Sequence, residues 1–350
     1  MPISSISDLL KIAVDSRATD LHLVAHNPPI FRVDGELNAA DLPPLSPDDV
    51  KAMLEGMLTN AQRETFRETQ ELDFSYQSLE GYYFRVNAHL ERGNVAATVR
   101  IMPTHIPSAE ELGLPPVLAQ LARRRKGLIV IIGSAGTGKT TTMTYMVDLI
   151  NRERKCKIIT IEDPIEYIHQ SKQSVIIQRE VGSHTRSFAN GLKYALRQDP
   201  DVVVIGEMRD LESMAMALTT AETGHLVLTT LHAPDTIESI NRIIDVFPSG
   251  QQNQIRLQLA ENLLAVIGQS LIPRKEAQGR VLATEIMIPN LSIRNMIRRG
   301  ALMEIRGQLE EGGKVGMHSI EQCLSDLISR GIISREMAKE FAKHPNLLRD

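Results

Sequence analysis

The stretch that decides the fold is GLIVIIGSAGTGKTT, residues 127–141. Its apolar beginning predicts a buried strand, and the residues that follow, TTMTYMVDLINRE, predict a helix. Between the two, residues 133–140 fit the pattern G-x-x-x-x-G-K-[ST]. In that pattern the glycines let backbone N–H groups face phosphate groups, and the helix N-terminus adds positive potential. The alternative is a chance glycine-rich turn, and the matching order of strand, loop, Lys-Thr pair and helix argues against it.

This phosphate loop predicts ATP and Mg²⁺ as cofactors. Lys139 would neutralise charge on the β- and γ-phosphates, and the Thr140 hydroxyl would ligate Mg²⁺. Thr141 is a weaker candidate, because it also simply continues the helix. The predicted nucleotide-binding residues are Gly133, Ser134, Ala135, Gly136, Thr137, Gly138, Lys139, Thr140 and Thr141.

Short apolar strands around the loop predict an α/β domain with a parallel sheet. The strands are GLIVIIG, KIITIE, VVVIG and HLVLTTLH, separated by helical segments, a pattern typical of a sheet covered on both faces. The third strand lies within DPDVVVIGEMRD, residues 199–210. Glu207 follows it at the carboxyl edge, where open α/β sheets bind ligands, whereas Asp199 and Asp201 lie at the far end. We assign Glu207 to polarising the attacking water and to helping organise Mg²⁺; the alternative is a solvated turn residue.

Acidic and histidine residues follow two other strands. Glu162, Asp163 and Glu166 follow KIITIE and suit a hydrated Mg²⁺, the alternative being a charged loop. The predicted metal ligands are therefore Thr140, Glu162, Asp163 and Glu207. His232 ends TGHLVLTTLH at the carboxyl edge and could contact the γ-phosphate or be a structural histidine. His225, at the opposite end, should have a structural or interface role.

The chain divides into four predicted regions. Residues 1–104 alternate like an antiparallel sheet with helices, a small α+β domain in which Asp34-Gly35 is a hairpin turn signal. Residues 105–116 are proline-rich and form the predicted interdomain linker. Residues 117–290 form the ATPase domain, and residues 291–350 form a helical C-terminal region.

Composition limits the class of protein. The chain has 350 residues, a net charge of −4 and two cysteines, so we expect two domains in a reducing compartment. The net acidity makes nucleic acid a weak candidate as a partner. No apolar run approaches the roughly 20 residues that a membrane-spanning helix needs, and the N-terminus is unlike a signal peptide.

Four motifs resemble a known family. LRQDPDVVVIGEMRD (196–210) matches the signature of secretion-type ATPases of the type II secretion and type IV pilus family, which includes GspE/PulE-like proteins. ITIEDPIEY (159–167) resembles the aspartate box of that family, and TGHLVLTTLHA (223–233) its histidine box. LSIRNMIRRG (291–300) resembles the AIRNLIRE motif of PilT-type retraction ATPases, with Ser292 for Ala, Met296 for Leu and Arg299 for Glu.

The resemblance implies a fold and a mechanism. The fold is a PAS-like N-terminal α+β domain followed by a RecA-like P-loop ATPase domain with a C-terminal helical extension. The mechanism is that of a homohexameric ring, which couples ATP hydrolysis to type IV pilus retraction and twitching motility. Arg85 and Arg100 match the arginines that reach the phosphates, and Arg92 is less favoured. The predicted catalytic residues, besides these arginines, are Lys139, Glu162, Glu166, Glu207 and His232.

The resemblance also implies a location and partners. We expect a cytoplasmic protein, peripherally associated with the inner-membrane pilus machine, that contacts a PilC-like platform protein and companion pilus ATPases. Alternatives stay open, namely an accessory PilU-like paralogue, a pilus-extension or type II secretion ATPase, a nucleotide-gated regulatory module and a nucleic-acid translocase. For Arg209 and Arg242 two roles stay open, a contact between subunits or the maintenance of ring geometry.

Overall fold

The computed structural model describes residues 5–33, 35–103, 105–276 and 279–349. Contacts within the chain divide it into two compact units. The first is Met1–His105 with Glu166–Ile168, and the second is Ile106–Ile165 with His169–Asp350. The division falls at the start of the proline-rich segment, and the protein is a mixed α/β protein.

The first unit is an antiparallel sheet with helices. Its described strands form a six-stranded sheet in the order β3-β2-β1-β6-β5-β4, in which the neighbours that pair are antiparallel, as predicted. Helices α1 and α2 bury Leu9, Leu10, Val50 and Leu54 against it. Strands β2 and β3 flank the predicted turn, of which Asp34 lies outside the described residues. The elements are α1 (Ile6–Asp15), β1 (Asp20–Leu23), β2 (Ile30–Val33), β3 (Glu36–Ala39), α2 (Pro47–Met57), α3 (Asn60–Thr69), β4 (Glu71–Gln77), β5 (Tyr83–Glu91) and β6 (Asn94–Ile101).

The second unit alternates strands and helices. Its strands are β7 (Gly127–Ile132), β8 (Lys157–Glu162), β9 (Val175–Glu180), β10 (Val202–Ile205), β11 (Leu226–Leu231), β12 (Leu263–Pro273) and β13 (Arg280–Met287). Its helices are α4 (Ala109–Leu112), α5 (Val117–Ala122), α6 (Lys139–Glu153), α7 (Phe188–Ala195), α8 (Leu211–Glu222), α9 (Thr236–Asp245), α10 (Ser249–Asn262), α11 (Leu291–Arg299), α12 (Ile305–Glu311), α13 (Ile320–Ser329) and α14 (Arg335–Phe341).

The sheet of the second unit is larger than the sequence predicted. In the described part of the chain it has seven strands in the order β13-β12-β7-β11-β10-β8-β9. The four predicted strands are the parallel centre, β7, β11, β10 and β8. The sequence analysis missed β9, which is partly exposed at one edge, and the antiparallel pair β12 and β13 at the other. The antiparallel pair needs only a short turn, so the alternation of strand and helix that revealed the other strands is absent there.

Side chains of each central strand pack on both faces of this sheet. In β7, Leu128, Val130 and Ile132 join one buried cluster with α7 to α11, whereas Ile129 and Ile131 join a second cluster with α5 and α6. Alternate residues of a strand point to opposite faces, so a strand buried on both reads as continuously apolar. Packing on both faces fixes the strand ends that carry the polar residues.

Regular structure enters the predicted linker. Residues 105–116 contain the one-turn helix α4, which begins with a capping box between Ser108 and Glu111. Its Leu112 packs on a buried apolar cluster of the second unit that includes Leu114. Reciprocal capping by a serine and a glutamate three residues apart stabilises this helix turn although prolines flank it. From Leu291 onwards the described residues are mainly helical, as predicted.

Candidate functional site

The carboxyl edge of the parallel sheet gathers the predicted polar residues. Strand register aligns Ile205 of β10 with Ile161 of β8 and with Thr229 of β11. Ile132 of β7 lies opposite Leu231 of β11. The residues that follow these positions therefore leave the sheet at one edge, since parallel strands share a direction. They are the phosphate loop, Glu162 with Asp163, Glu207 and His232, and their placement agrees with the sequence analysis.

The phosphate loop has the backbone geometry of an anion cradle. Gly133, Gly136 and Gly138 have φ values of 148°, 75° and 85°, in the region that favours glycine. At Gly133 a Cβ atom would lie 2.6 Å from both the Gln269 carbonyl oxygen and Thr137 Oγ1. Only glycine fits there, so the loop turns sharply between β7 and α6. The first turn of α6 carries Thr140 and Thr141.

Lys139 is the first residue of α6 and is buried. Its Nζ donates hydrogen bonds to the carbonyl oxygens of Gly133 at 2.9 Å and Ser134 at 2.8 Å. Thr137 Oγ1 also donates to the Ser134 carbonyl, at 2.9 Å. The amino group is thus held over the loop, beside the backbone amides that open the 15-residue helix. A buried ammonium group at a helix N-terminus supplies the positive potential that phosphate groups need.

Glu207 lies between two neighbouring strands just beyond β10. The Gly206 amide donates to the Ile161 carbonyl at 2.8 Å, and the Met208 amide donates to the Thr230 carbonyl at 3.0 Å. A Cβ atom at Gly206 would lie 3.2 Å from the Glu162 Cα atom, so glycine permits this close approach. Hydrogen bonds on both sides therefore hold the Glu207 backbone, as expected for a residue that must aim a carboxylate.

The Glu207 carboxylate has two basic side chains as neighbours. Arg209 Nε donates to Oε2 at 2.8 Å, and His232 Nε2 lies 3.5 Å from Oε1. The Glu207 side chain is only 17% exposed, compared with 63% for Arg209 and 42% for His232. From the sequence, the role of Arg209 was undecided, either a contact between subunits or ring geometry. Within this chain it pairs with Glu207, and the pairing orients the carboxylate toward the carboxyl edge.

The segment after β11 is held by the helix that follows it. Arg242 of α9 donates from Nη1 to the His232 carbonyl oxygen at 2.6 Å. This bond fixes the backbone of His232 and leaves its imidazole free to face Glu207. His225, before β11, has Nδ1 3.1 Å from the Thr220 carbonyl oxygen, which can only accept, and 3.1 Å from Thr223 Oγ1. At the same far end of the sheet, Asp201 accepts from the Lys157 amide at 2.8 Å.

The acids after β8 differ from each other in burial. Glu162 is buried, and its Oε1 accepts from Thr160 Oγ1 at 2.5 Å and from Gln178 Nε2 at 3.2 Å. Asp163 is exposed and precedes a cis peptide bond to Pro164. Glu166 is exposed and belongs to the first unit. Glu162 and Asp163 thus present two carboxylates with different surroundings at the carboxyl edge.

The described residues contain no group of three or more His, Cys, Asp or Glu side chains that could hold a metal ion. Thr140, Glu162, Asp163 and Glu207 are therefore not assembled into a cage of protein ligands. Mg²⁺ commonly keeps several waters and binds one or two protein ligands together with phosphate oxygens. The Thr140 hydroxyl in the first turn of α6 and the edge carboxylates fit this open kind of site.

The predicted arginines belong to the first unit. Arg85 of β5 and Arg100 of β6 are direct cross-strand partners. Arg100 Nε donates to Asp20 Oδ1 at 2.9 Å, which offsets the repulsion between the two cations. Arg92 is at the turn between these strands and lies 3.2 Å from Glu91. The predicted contact of Arg85 and Arg100 with phosphate stays a prediction.

The sequence analysis missed three buried polar residues near the carboxyl edge. Gln269 of β12 donates from Nε2 to Thr142 Oγ1 in α6 at 2.8 Å. Glu285 of β13 accepts from Thr236 at the start of α9. Glu180, at the end of β9, accepts from the Ile165 amide at 3.1 Å and so braces the loop after Glu162. Single polar letters inside the apolar runs LLAVIGQSLIP and RVLATEIM were the available signal.

Comparison with known proteins identifies the family. Residues 3–327 match the family model of the type II/IV secretion system protein. The chain belongs to the type II/IV secretion system protein family. This family member is 42% identical over 340 residues to the type IV pilus retraction ATPase PilT of Pseudomonas aeruginosa, covering 97% of this chain and 98% of the relative. It is 38% identical over 341 residues to the type IV pilus ATPase PilU of Pseudomonas aeruginosa, covering 97% and 89%.

A solved structure agrees with this assignment. The crystal structure of the pilus retraction motor PilT with bound ADP superposes with a TM-score of 0.91 at 42% identity, covering 98% of each chain. Known relatives of this family member are therefore pilus retraction ATPases of nearly the same length. In the part of the chain that is described, no helix is long and apolar enough to cross a membrane.

Proposed function

We propose that this chain is a Mg²⁺-dependent ATPase that converts ATP and water to ADP and phosphate. The observation that carries the proposal is the carboxyl edge, where an intact phosphate loop lies beside Glu207 and its neighbour His232. The similarity to an ADP-bound motor supports nucleotide binding at this loop. A regulatory module with little turnover is disfavoured, because Lys139, Thr140 and Glu207 are all present.

Each residue has a proposed task. The backbone amides of residues 133–138 and the Lys139 ammonium group bind phosphate oxygens and offset their charge. Glu207 orients the attacking water and accepts its proton, while His232 senses the γ-phosphate and hydrogen-bonds the carboxylate. Mg²⁺, when bound, would supply neutralisation of the charge that develops during transfer. Thr140, with carboxylates of Glu162, Asp163 or Glu207 directly or through water, would hold it.

We further propose that the output is retraction of a type IV pilus by a homohexameric ring. The support is the full-length similarity to retraction ATPases and the motif at residues 291–300. The first unit would be a PAS-like domain and the second a RecA-like ATPase domain. Arg85 and Arg100 of the first unit would bind phosphate oxygens, which would couple hydrolysis to motion. The protein would act in the cytoplasm against a PilC-like platform protein at the inner membrane.

The hydrolytic role is tested by Glu207→Gln. Loss of the general base should lower kcat by about 10²–10⁴-fold while ATP binding stays intact. Steady-state hydrolysis and binding of a fluorescent ATP analogue measure the two separately. The matched control is Glu212→Gln, at an exposed acid in the first turn of α8, and it should behave like the wild type. Unchanged turnover in Glu207→Gln would remove Glu207 from the mechanism.

The direction of the motor is tested by deleting the gene in the source organism. A retraction motor predicts loss of twitching with surface pili retained or increased, because assembly continues without removal. Bald cells would instead indicate an extension ATPase. Retained retraction, with a defect that appears only under load or only without a companion ATPase, would indicate an accessory PilU-like role, which the similarity to PilU keeps open. Pilus counts by electron microscopy and colony spreading are the measurements.

A further inference from the structure

The antiparallel pair β12 and β13 carries two buried polar side chains that reach helices on opposite faces of the sheet. Gln269 and Glu285 are 4% and 9% exposed. Glu285 is paired across the strands with Gly268, the residue before Gln269, so the two side chains point to opposite faces. Gln269 reaches Thr142 in α6, the helix that follows the phosphate loop. Glu285 reaches α9, the helix that follows His232.

Glu285 holds the first residue of α9 with two hydrogen bonds. Thr236 is fully buried, and its amide donates to Glu285 Oε1 at 2.9 Å while its hydroxyl donates to the same oxygen at 2.7 Å. No ion pair of Glu285 with a basic residue occurs within the part of the chain that the structure describes. Burying a carboxylate without a cation is costly, and the amides at a helix N-terminus offset part of that cost.

Glu285 thereby fixes one end of the short segment that carries His232. The other end is fixed by Arg242, which donates to the His232 carbonyl. Between these points, Asp235 caps α9 by accepting from the Glu238 amide at 2.7 Å, and its other oxygen pairs with Lys343. Because only three residues separate His232 from Thr236, a shift of the start of α9 moves the imidazole that faces Glu207.

The surroundings of Glu285 favour a role tied to the site over simple packing. An open pocket of about 580 Å³ is lined by Glu285 together with Gly133, Gln269, Asp235 and Phe341, among others. A side chain in a pocket wall is packed on fewer sides than one in the interior. Its two directed hydrogen bonds both end on the segment that positions His232.

We propose that Glu285 is a positioning residue for hydrolysis, which holds the start of α9 so that His232 stays against Glu207. This inference rests on the proposed ATPase function. Strands β12 and β13 then connect two parts of the site. Gln269 contacts α6, the helix after the phosphate loop, and Glu285 contacts the start of α9, after His232. In this role the carboxylate acts through Thr236, with which it makes both hydrogen bonds.

The first test compares three variants with the wild type. Glu285→Met removes the acceptor at similar volume, and we expect kcat to fall about tenfold with little change in KM for ATP, the effect of losing a hydrogen bond from a charged group. Glu285→Gln keeps an acceptor oxygen and should restore most of the rate. Glu238→Gln changes an exposed acid of the same cavity and should leave the rate unchanged. Melting temperatures show which variants fold.

The second test is a double-mutant cycle with His232→Ala. If Glu285 acts through His232, Glu285→Met should cost little further activity once the histidine is gone. The inference would be overturned if Glu285→Met lowered kcat by the same factor with and without His232→Ala. A lowered melting temperature of Glu285→Met with unchanged kcat would also overturn it. Hydrogen exchange of residues 232–240 gives a readout without turnover, and Glu285→Met should accelerate it. An inactive wild type would count against the ATPase proposal alone, and unchanged exchange would still overturn the positioning role.

Discussion

At the scale of single residues, glycine decides how close the polar groups come. Gly133 and Gly206 are each next to a carboxyl strand end; a Cβ atom would lie 2.6 Å from backbone at Gly133, too close for a side chain, and 3.2 Å from backbone at Gly206, a tight contact. Gly206 matters most, because Glu207 follows it and the facing backbone belongs to Glu162. The carboxylate that we assign to water activation thus depends on a neighbour with no side chain of its own.

Replacing Gly206 by alanine should therefore destabilise the protein. The added Cβ atom must push against backbone rather than a flexible side chain, and overpacking of this kind costs about 1–3 kcal/mol. Urea unfolding should show the loss, and hydrolysis should fall because Glu207 moves with the backbone. Gly250→Ala is the matched control, in helix α10 with nothing within 4 Å of the new Cβ atom, and it should be neutral or slightly stabilising. Equal stability of the two variants would contradict this account.

At the scale of elements, the C-terminal helices pack on β12 and β13 through a buried apolar cluster, and polar contacts join them to one another and to α9. Glu321 of α13 is 2% exposed, and its Oε1 accepts from the His344 amide at 2.9 Å and pairs with Arg306 at 3.3 Å. The next residue back, Lys343, pairs with Asp235 at the start of α9. The segment after α14 is thereby held between α13 and the helix that follows His232.

Removing the Glu321 carboxylate should release that segment. In Glu321→Ala the His344 amide loses its acceptor and Arg306 loses its buried partner, a loss of about 1.5–3 kcal/mol for a hydrogen bond to a charged group. Hydrogen exchange of residues 342–349 should rise by at least about tenfold, since 1.4 kcal/mol corresponds to that factor. Glu336→Ala, at an exposed acid of α14, should leave exchange unchanged. Protection that persists in Glu321→Ala would show that other contacts hold the segment.

At the scale of the whole molecule, the two units carry different charge. The first unit, residues 1–105 with 166–168, has 9 basic and 16 acidic side chains, a net charge of −7, which leaves +3 for the second unit of the total of −4. Opposite net charges favour association of unlike units in neighbouring copies, through long-range attraction that salt screens. This is compatible with the ring that we propose.

The proposed ring predicts a particular solution mass. With Mg²⁺ and a non-hydrolysable ATP analogue, light scattering should give six times the mass of one chain. Raising the salt concentration should weaken assembly, because the charge contrast is screened. Lys139→Ala should assemble less in response to nucleotide, since its phosphate site is weakened, and serves as the control for ligand dependence. A monomer under all these conditions would remove the ring mechanism.

Much of the site was predictable because the motifs are local. The phosphate loop, Glu207 and His232 each follow an apolar run directly, so the position of the strand end and of the polar residue come from the same few letters. Strands β12 and β13 were not predictable in this way, because they pair through a short turn without an intervening helix. Gln269 and Glu285 were missed with them, since their role depends on which helix each face meets.

The sequence by itself determined the nucleotide chemistry and the parallel centre of the sheet, because apolar runs and glycine spacing act over neighbouring residues. Only the tertiary structure decided which polar groups hold one another. Arg209 with Glu207, Arg242 with His232 and Glu285 with Thr236 are such pairs. The last of these joins residues 49 apart in sequence. Such a contact follows from strand order and sheet faces, which no local pattern encodes.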